Sequence, residues 1–126
     1  MIFGPPSSRM FLVPSPLRVL FVCGKNLRRS PTAETMYRRD PRLSVRSAGV
    51  SETSRRRVRE SDLDWADVVF VMEAKHAARL RAAFPPPEDM PSIESLDIPD
   101  DYERDAEELI EVLRVAVEGR LEHWLG

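Results

Sequence analysis

The chain has 126 residues, 42% apolar and 32% charged, with a formal net charge of −2. That is enough for one domain around one hydrophobic core. No run approaches the roughly 18 uninterrupted apolar residues that cross a bilayer. The single cysteine, Cys23, excludes an internal disulfide and a cysteine-based zinc site. The small net charge hides an asymmetry: Arg18 to Arg59 holds twelve Lys and Arg against three acids, and Glu60 onward holds six against eighteen. Two solvated faces that attract each other fit this split, and so does a basic half that builds an anion site.

Residues 1–16, MIFGPPSSRMFLVPSP, carry four prolines and an apolar patch too short for a signal sequence. They are expected to form an irregular leader, with Met10 a candidate initiator, ahead of a domain spanning 17–126. LRVLFVC, Leu17 to Cys23, is β-branched and aromatic enough to predict a buried central strand. Ser30-Pro31 predicts a helix to about Arg39, with Ser30 as cap and Glu34 in support. Leu43 to Ser47 predicts a second strand with Leu43, Val45 and Ser47 inward. A short helix is expected over Ser61 to Trp65, capped by Ser61. Asp67 to Met72 predicts a third strand, Glu73 to Phe84 a helix ended by the prolines that follow, and Ser92 to Ile98 a fourth strand. Glu103 to Leu125 is the clearest helix, because Leu109, Ile110, Leu113, Val117, Leu121 and Trp124 recur near helical spacing. Alternating strands and helices with right-handed crossovers predict an α/β fold, a doubly wound four-stranded parallel sheet with flanking helices. In such sheets ligands bind beyond the carboxyl ends of the strands, where Cys23 falls. His76 and His123 are expected to be solvated surface residues with no metal role.

The segment Cys23, Gly24, Lys25, Asn26, Leu27, Arg28, Arg29, Ser30 joins the first strand to a helix. So short a loop turns backbone N–H groups toward one point, and the helix N-terminus adds donors and a positive dipole end. That is a cradle for a tetrahedral dianion. Arg29 suits two of its oxygens at once through a planar fork. The same field favours the thiolate of Cys23, with Ser30 as hydrogen-bond donor to it. A thiolate beneath a bound phosphate can attack phosphorus. Asn26 tolerates left-handed backbone angles and is expected to hold the loop open. C-x5-R alone recurs by chance; the strand before it and the S-P helix start after it make it specific.

VLFVCGKNLRRSPTAE resembles the phosphate loop of the low-molecular-weight protein tyrosine phosphatases, whose usual form is V-C-x-G-N-x-C-R-S-P-x-A-E. Ser47-Ala48-Gly49 is similar to the S-A-G segment of that family, WADVVFVMEAKHAARL to its third strand and next helix, and DIPDDY, Asp97 to Tyr102, to its acid loop. The resemblance covers Leu17 to the C-terminus and implies a compact bacterial-type member. It implies hydrolysis of phosphotyrosine, on a protein or a small aryl phosphate, through a cysteinyl-phosphate, with no cofactor, metal, nucleic acid or membrane, in the cytoplasm. Oligomeric state is left open. By position Cys23 is the nucleophile, Arg29 the clamp and Asp100 the general acid, with Asp101 as the competing carboxylate. Gly24, Lys25, Asn26, Leu27, Arg28 and Ser30 would surround the phosphate, Tyr102 would flank the ring, and Ser47 would support Asn26.

Three departures stand out. Gly24-Lys25 replaces x-Gly, Arg28 replaces the second loop cysteine, and the stretch from Gly49 to Ser61 is much shorter, which removes a wall of the pocket. An arsenate reductase would need further cysteines. A phosphate-binding module with little turnover is a second alternative. A nucleic-acid site on Arg55, Arg56 and Arg57 lacks interleaved aromatic platforms.

Overall fold

The computed structural model describes residues 15–84 and 90–126. The leader therefore falls outside the described residues except for Ser15 and Pro16, which are exposed. The prolines 85–87 fall outside them as well. Eight elements alternate along the chain: β1 (Leu17–Cys23), α1 (Arg29–Tyr37), β2 (Leu43–Gly49), α2 (Glu60–Trp65), β3 (Val68–Val71), α3 (Ala74–Ala83), β4 (Ser92–Ser95) and α4 (Glu107–Leu125). The strands form one parallel sheet in the order β2-β1-β3-β4.

The sheet is buried on both faces, which is why β1 and β3 read as unbroken apolar runs. Val19, Phe21 and Cys23 point with Val68 and Phe70 to one side, against Tyr37 of α1 and Leu109, Leu113, Val117 and Leu121 of α4. Leu20 and Val22 point with Val69 and Val71 to the other side, against Leu63 of α2 and Ala77 and Leu80 of α3. The doubly wound sheet expected from the sequence is the one observed. Strand order reverses beside β1, so its carboxyl end opens into the crevice where such sheets bind ligands.

Several boundaries differ for local reasons. Ser30 does not cap α1: the helix begins at Arg29 with Arg28 at its cap position, and the Ser30 hydroxyl faces Cys23 instead. Ser61 does not cap α2; the Asp62 carboxylate accepts the Arg59 backbone N–H at 3.0 Å. β4 stops at Ser95 because Asp97 takes a left-handed backbone (φ 56°), and α4 starts at Glu107, four residues late, because Asp105 does the same (φ 62°). Left-handed angles are compatible with neither strand nor helix continuation.

Candidate active site

The loop 24–28 leaves β1 and returns as α1. Its shape is set by a brace formed by residues 50–55. Val50 N–H donates to the Cys23 carbonyl at 3.1 Å, Ser51 N–H to Gly24 at 2.9 Å and Arg55 N–H to Lys25 at 3.0 Å, and Arg55 Nε donates to the Asn26 carbonyl at 3.1 Å. Four consecutive carbonyls are thus held toward the brace. Because each peptide unit is planar and trans, the N–H groups of Gly24, Lys25, Asn26 and Leu27 point the opposite way. A stack of oriented amides of this kind binds anions. Asn26 supplies the turn with φ 57°, while Lys25 keeps an ordinary backbone and so carries its side chain without strain. Gly49 lets the brace close: a Cβ there would meet Ser54 Oγ at 2.3 Å and the Lys25 carbonyl carbon at 2.8 Å.

Behind the loop runs a chain of hydrogen bonds whose direction Glu34 sets. A carboxylate only accepts, so Ser47 Oγ donates to Glu34 at 2.6 Å and accepts from Asn26 Nδ2 at 3.0 Å. The same amide nitrogen donates to Ser30 Oγ at 2.9 Å. The Ser30 proton is then left for its two remaining partners, Cys23 Sγ at 2.9 Å and, farther off, the Ala48 carbonyl at 3.3 Å. Asn26, Ser30 and Ser47 are all buried. The side chains of Asn26 and Ser30 therefore lie under the loop and not on the cleft lining: they hold the loop and the cysteine, and Asn26 faces the cleft only through its backbone N–H.

Arg29 is buried and fastened from two sides. Its Nη1 donates to Glu73 at 2.5 Å and to the Ile98 carbonyl at 2.6 Å. Those bonds use both Nη1 hydrogens and leave the Nε–Nη2 edge as a fork. The Asp100 carboxylate stands 3.6 Å from Nε. The Arg29 hydrogen bond, opposed by partial burial, holds the Glu73 carboxyl below its usual range.

Cys23, Gly24, Leu27, Arg28, Arg29 and Asp100 line one cleft of about 520 Å³, with Lys25, Ser51, Lys75, His76 and Arg79 around them. Asp101 is exposed and off this lining, and Tyr102 is half-buried and packs against the core. Tyr102 therefore does not flank the cleft as expected. His76 is not a surface residue: it is 2% exposed, its Nδ1 accepts the Glu73 N–H at 3.1 Å, and burial, with Arg29 nearby, lowers its pKa to about 4. Lys75, His76 and Arg79 escaped the sequence reading because they reach the cleft only through the pairing of β3 with β1, and so did Glu73, the partner of Arg29.

Arg55 to Arg57 are also accounted for. Arg55 braces the loop, Arg56 donates to the buried Asp62 at 2.6 Å, and Arg57 bridges Gly49. Among the described residues no group of three or more His, Cys, Asp or Glu is placed to hold a metal, and no helix is long and apolar enough to cross a membrane.

Solved structures match this arrangement over most of the chain. A low-molecular-weight phosphotyrosine phosphatase from Vibrio cholerae O395 is 26% identical, covers 84% of this chain and 97% of its own, and superposes with a TM-score of 0.63. The chain takes the fold of the low-molecular-weight protein tyrosine phosphatase family. That phosphatase fold is matched again by a Streptococcus pyogenes low-molecular-weight protein tyrosine phosphatase (18% identical, 85% and 92% covered, TM-score 0.69). The arginine phosphatase YwlE from Geobacillus stearothermophilus shares it as well (24% identical, 86% and 96% covered, TM-score 0.60). No protein-family model and no curated protein sequence matches the chain.

Proposed function

We propose that residues 17–126 form a protein tyrosine phosphatase, a hydrolase of aryl phosphate monoesters working through a cysteinyl-phosphate. The observation that carries this is Cys23 Sγ, 2.9 Å from the Ser30 hydroxyl, on the lining of a cleft it shares with Arg29 and Asp100. The Cys23 thiolate attacks phosphorus and the P–O bond to the phenol breaks. The Asp100 carboxyl gives its proton to the departing oxygen. Arg29 and the loop amides stabilise charge on the equatorial oxygens. The Asp100 carboxylate then takes a proton from water, whose oxygen attacks phosphorus; the S–P bond breaks and inorganic phosphate leaves. Asp100 is preferred to Asp101 because only Asp100 borders the cleft.

One structural neighbour is named an arginine phosphatase. Here the cations around the cleft disfavour a guanidinium leaving group, while Leu27, 49% exposed at its mouth, offers apolar surface to a phenyl ring. These features support tyrosine. The single cysteine suits a reducing cytoplasm, and we read the loop 23–30 as the phosphate-binding loop.

The test is turnover of phosphotyrosine and of nitrophenyl phosphate. Cys23→Ser is expected to abolish both while retaining vanadate binding; substantial activity in that variant refutes the scheme. A poor leaving group needs the proton that a good one does not. Asp100→Asn should therefore slow phosphotyrosine far more than the nitrophenyl ester, and Asp101→Asn should slow both mildly and alike. The reverse pattern would move the acid to Asp101.

A further inference from the structure

The cleft holds more positive charge than one phosphate requires. The N–H stack and the buried Arg29 already serve the phosphate. Around them stand four exposed cations: Lys25 and Arg28 on the loop, and Lys75 and Arg79 on α3. They come from two separate elements that line the same cleft, and Arg79 also donates to the Val50 carbonyl at 3.4 Å. Lys75 and Arg79 share one face of α3 at i,i+4 spacing, where like charges weaken a helix. Their counter-charges are loose: Arg28 stands 3.9 Å from Asp100 and from Glu103, and Lys75 stands 3.9 Å from Glu73 with its side chain 71% exposed. This surplus sits on a chain whose net charge is −2. It is therefore a local feature, and a concave mouth focuses such a field.

Resting on the phosphatase reading, we propose that the preferred substrate is a phosphotyrosine in an extended protein segment with acidic residues on both sides of it. The ring lies on Leu27, the phosphate enters the loop, and carboxylates of the flanking residues reach Lys25 and Arg28 on one side and Lys75 and Arg79 on the other. An extended segment fits better than a compact polyanion because the four cations are exposed and are divided between the loop and α3.

Two phosphotyrosine peptides of equal length decide the matter, one flanked by Asp and Glu and the other by Asn and Gln. With full-length wild-type protein at low salt, kcat/KM should favour the acidic peptide by about tenfold or more, mainly through KM. The gap should narrow at about 0.5 M salt, where the screening length falls to several ångströms. In Lys75→Glu/Arg79→Glu the gap should close or invert, and in Lys75→Ala/Arg79→Ala it should shrink. Equal kcat/KM for the two peptides, or a gap that survives charge reversal or salt, overturns the proposal. So does an equal gain for a small phenyl phosphate carrying extra carboxylates, which would mark a compact-polyanion site. Failure of the phosphatase reading has a separate signature: neither the peptides nor nitrophenyl phosphate is hydrolysed. Peptide affinities for Cys23→Ser still decide the docking in that case. Tighter binding of the acidic peptide supports it and equal affinity overturns it.

Discussion

Arg29 is the residue with the most demands on it. One end of its guanidinium satisfies Glu73 and the Ile98 carbonyl, and in the proposed mechanism the other holds the phosphate. A planar group with five donors can do both, whereas a lysine ammonium is a point charge that must choose. Arg29→Lys is expected to lower kcat at least about 100-fold, the scale of removing one preorganised donor; a variant within a few-fold of wild type would refute the clamp. His76 is the second informative residue. Its burial lowers its pKa to about 4, against about 6.5 when the chain is unfolded. With the folded value depressed, the neutral ring contributes stability fully above pH 6.5, and that contribution is lost as pH falls toward 4. By linkage the loss amounts to about 3 kcal/mol. Urea unfolding from pH 7.5 to 4 should show this slope in wild type and a shallower one in His76→Asn, with Asn placed to accept the same Glu73 N–H. Equal slopes would mean that the ring is not buried neutral. Nothing in the sequence marked His76 as buried, since a polar residue on an amphipathic helix is placed by tertiary contacts and not by its spacing.

At the level of elements, β1, β3 and α4 were legible because burial on both faces, or along one helical stripe, writes itself as hydrophobic pattern. The loop between β1 and α1 was legible because the chemistry proposed for it needs those residue types at that spacing. The brace was not. Residues 50–55, within the stretch read as a missing wall and a basic run, fasten four loop carbonyls, and three of those bonds use backbone N–H groups, which the residue pattern does not mark. The two serines read as helix caps illustrate the same limit, because a hydroxyl beside a helix start has several possible partners and only packing selects one. The brace depends on Gly49. Gly49→Ala would drive a Cβ into Ser54 and the Lys25 backbone, costing about 1–3 kcal/mol of stability as overpacking does. Turnover should fall further than stability explains, since the N–H stack is displaced as well. Adding Ser54→Gly should recover part of the loss, because it removes the side-chain clash and leaves the one with the Lys25 backbone. Wild-type turnover and urea midpoint in Gly49→Ala would show that the loop does not need the brace so close.

For the molecule as a whole, ion pairs between the two halves of the chain answer the reading of two faces that attract each other. Arg18 pairs with Asp67, Arg42 with Glu118, and Arg46 and Arg56 with Asp62, each joining the basic half to the acidic half, while Lys25, Arg28 and Arg29 line the cleft. The same economy of composition decides how the protein meets an oxidant. Cys23 is the only thiol in 126 residues, and Arg28 stands where a second loop cysteine would have been its neighbour. Peroxide converts a reactive thiolate to a sulfenic acid, which a nearby thiol would trap as a reversible disulfide. With no such thiol, the sulfenic acid either waits for an external thiol or is oxidised further to sulfinic acid, which thiols do not reverse. Brief peroxide exposure is therefore expected to inactivate the protein reversibly by added dithiothreitol, and longer exposure irreversibly, with no internal disulfide at any stage. Phosphate in the cleft should slow both by covering Cys23. Intact-mass measurement distinguishes the products: additions of one, then two and three oxygens are expected, and no loss of two hydrogens. Full recovery by dithiothreitol after prolonged exposure would show that Cys23 is protected by some route other than a second thiol. Undiminished activity under peroxide would remove the reactive thiolate from the mechanism altogether.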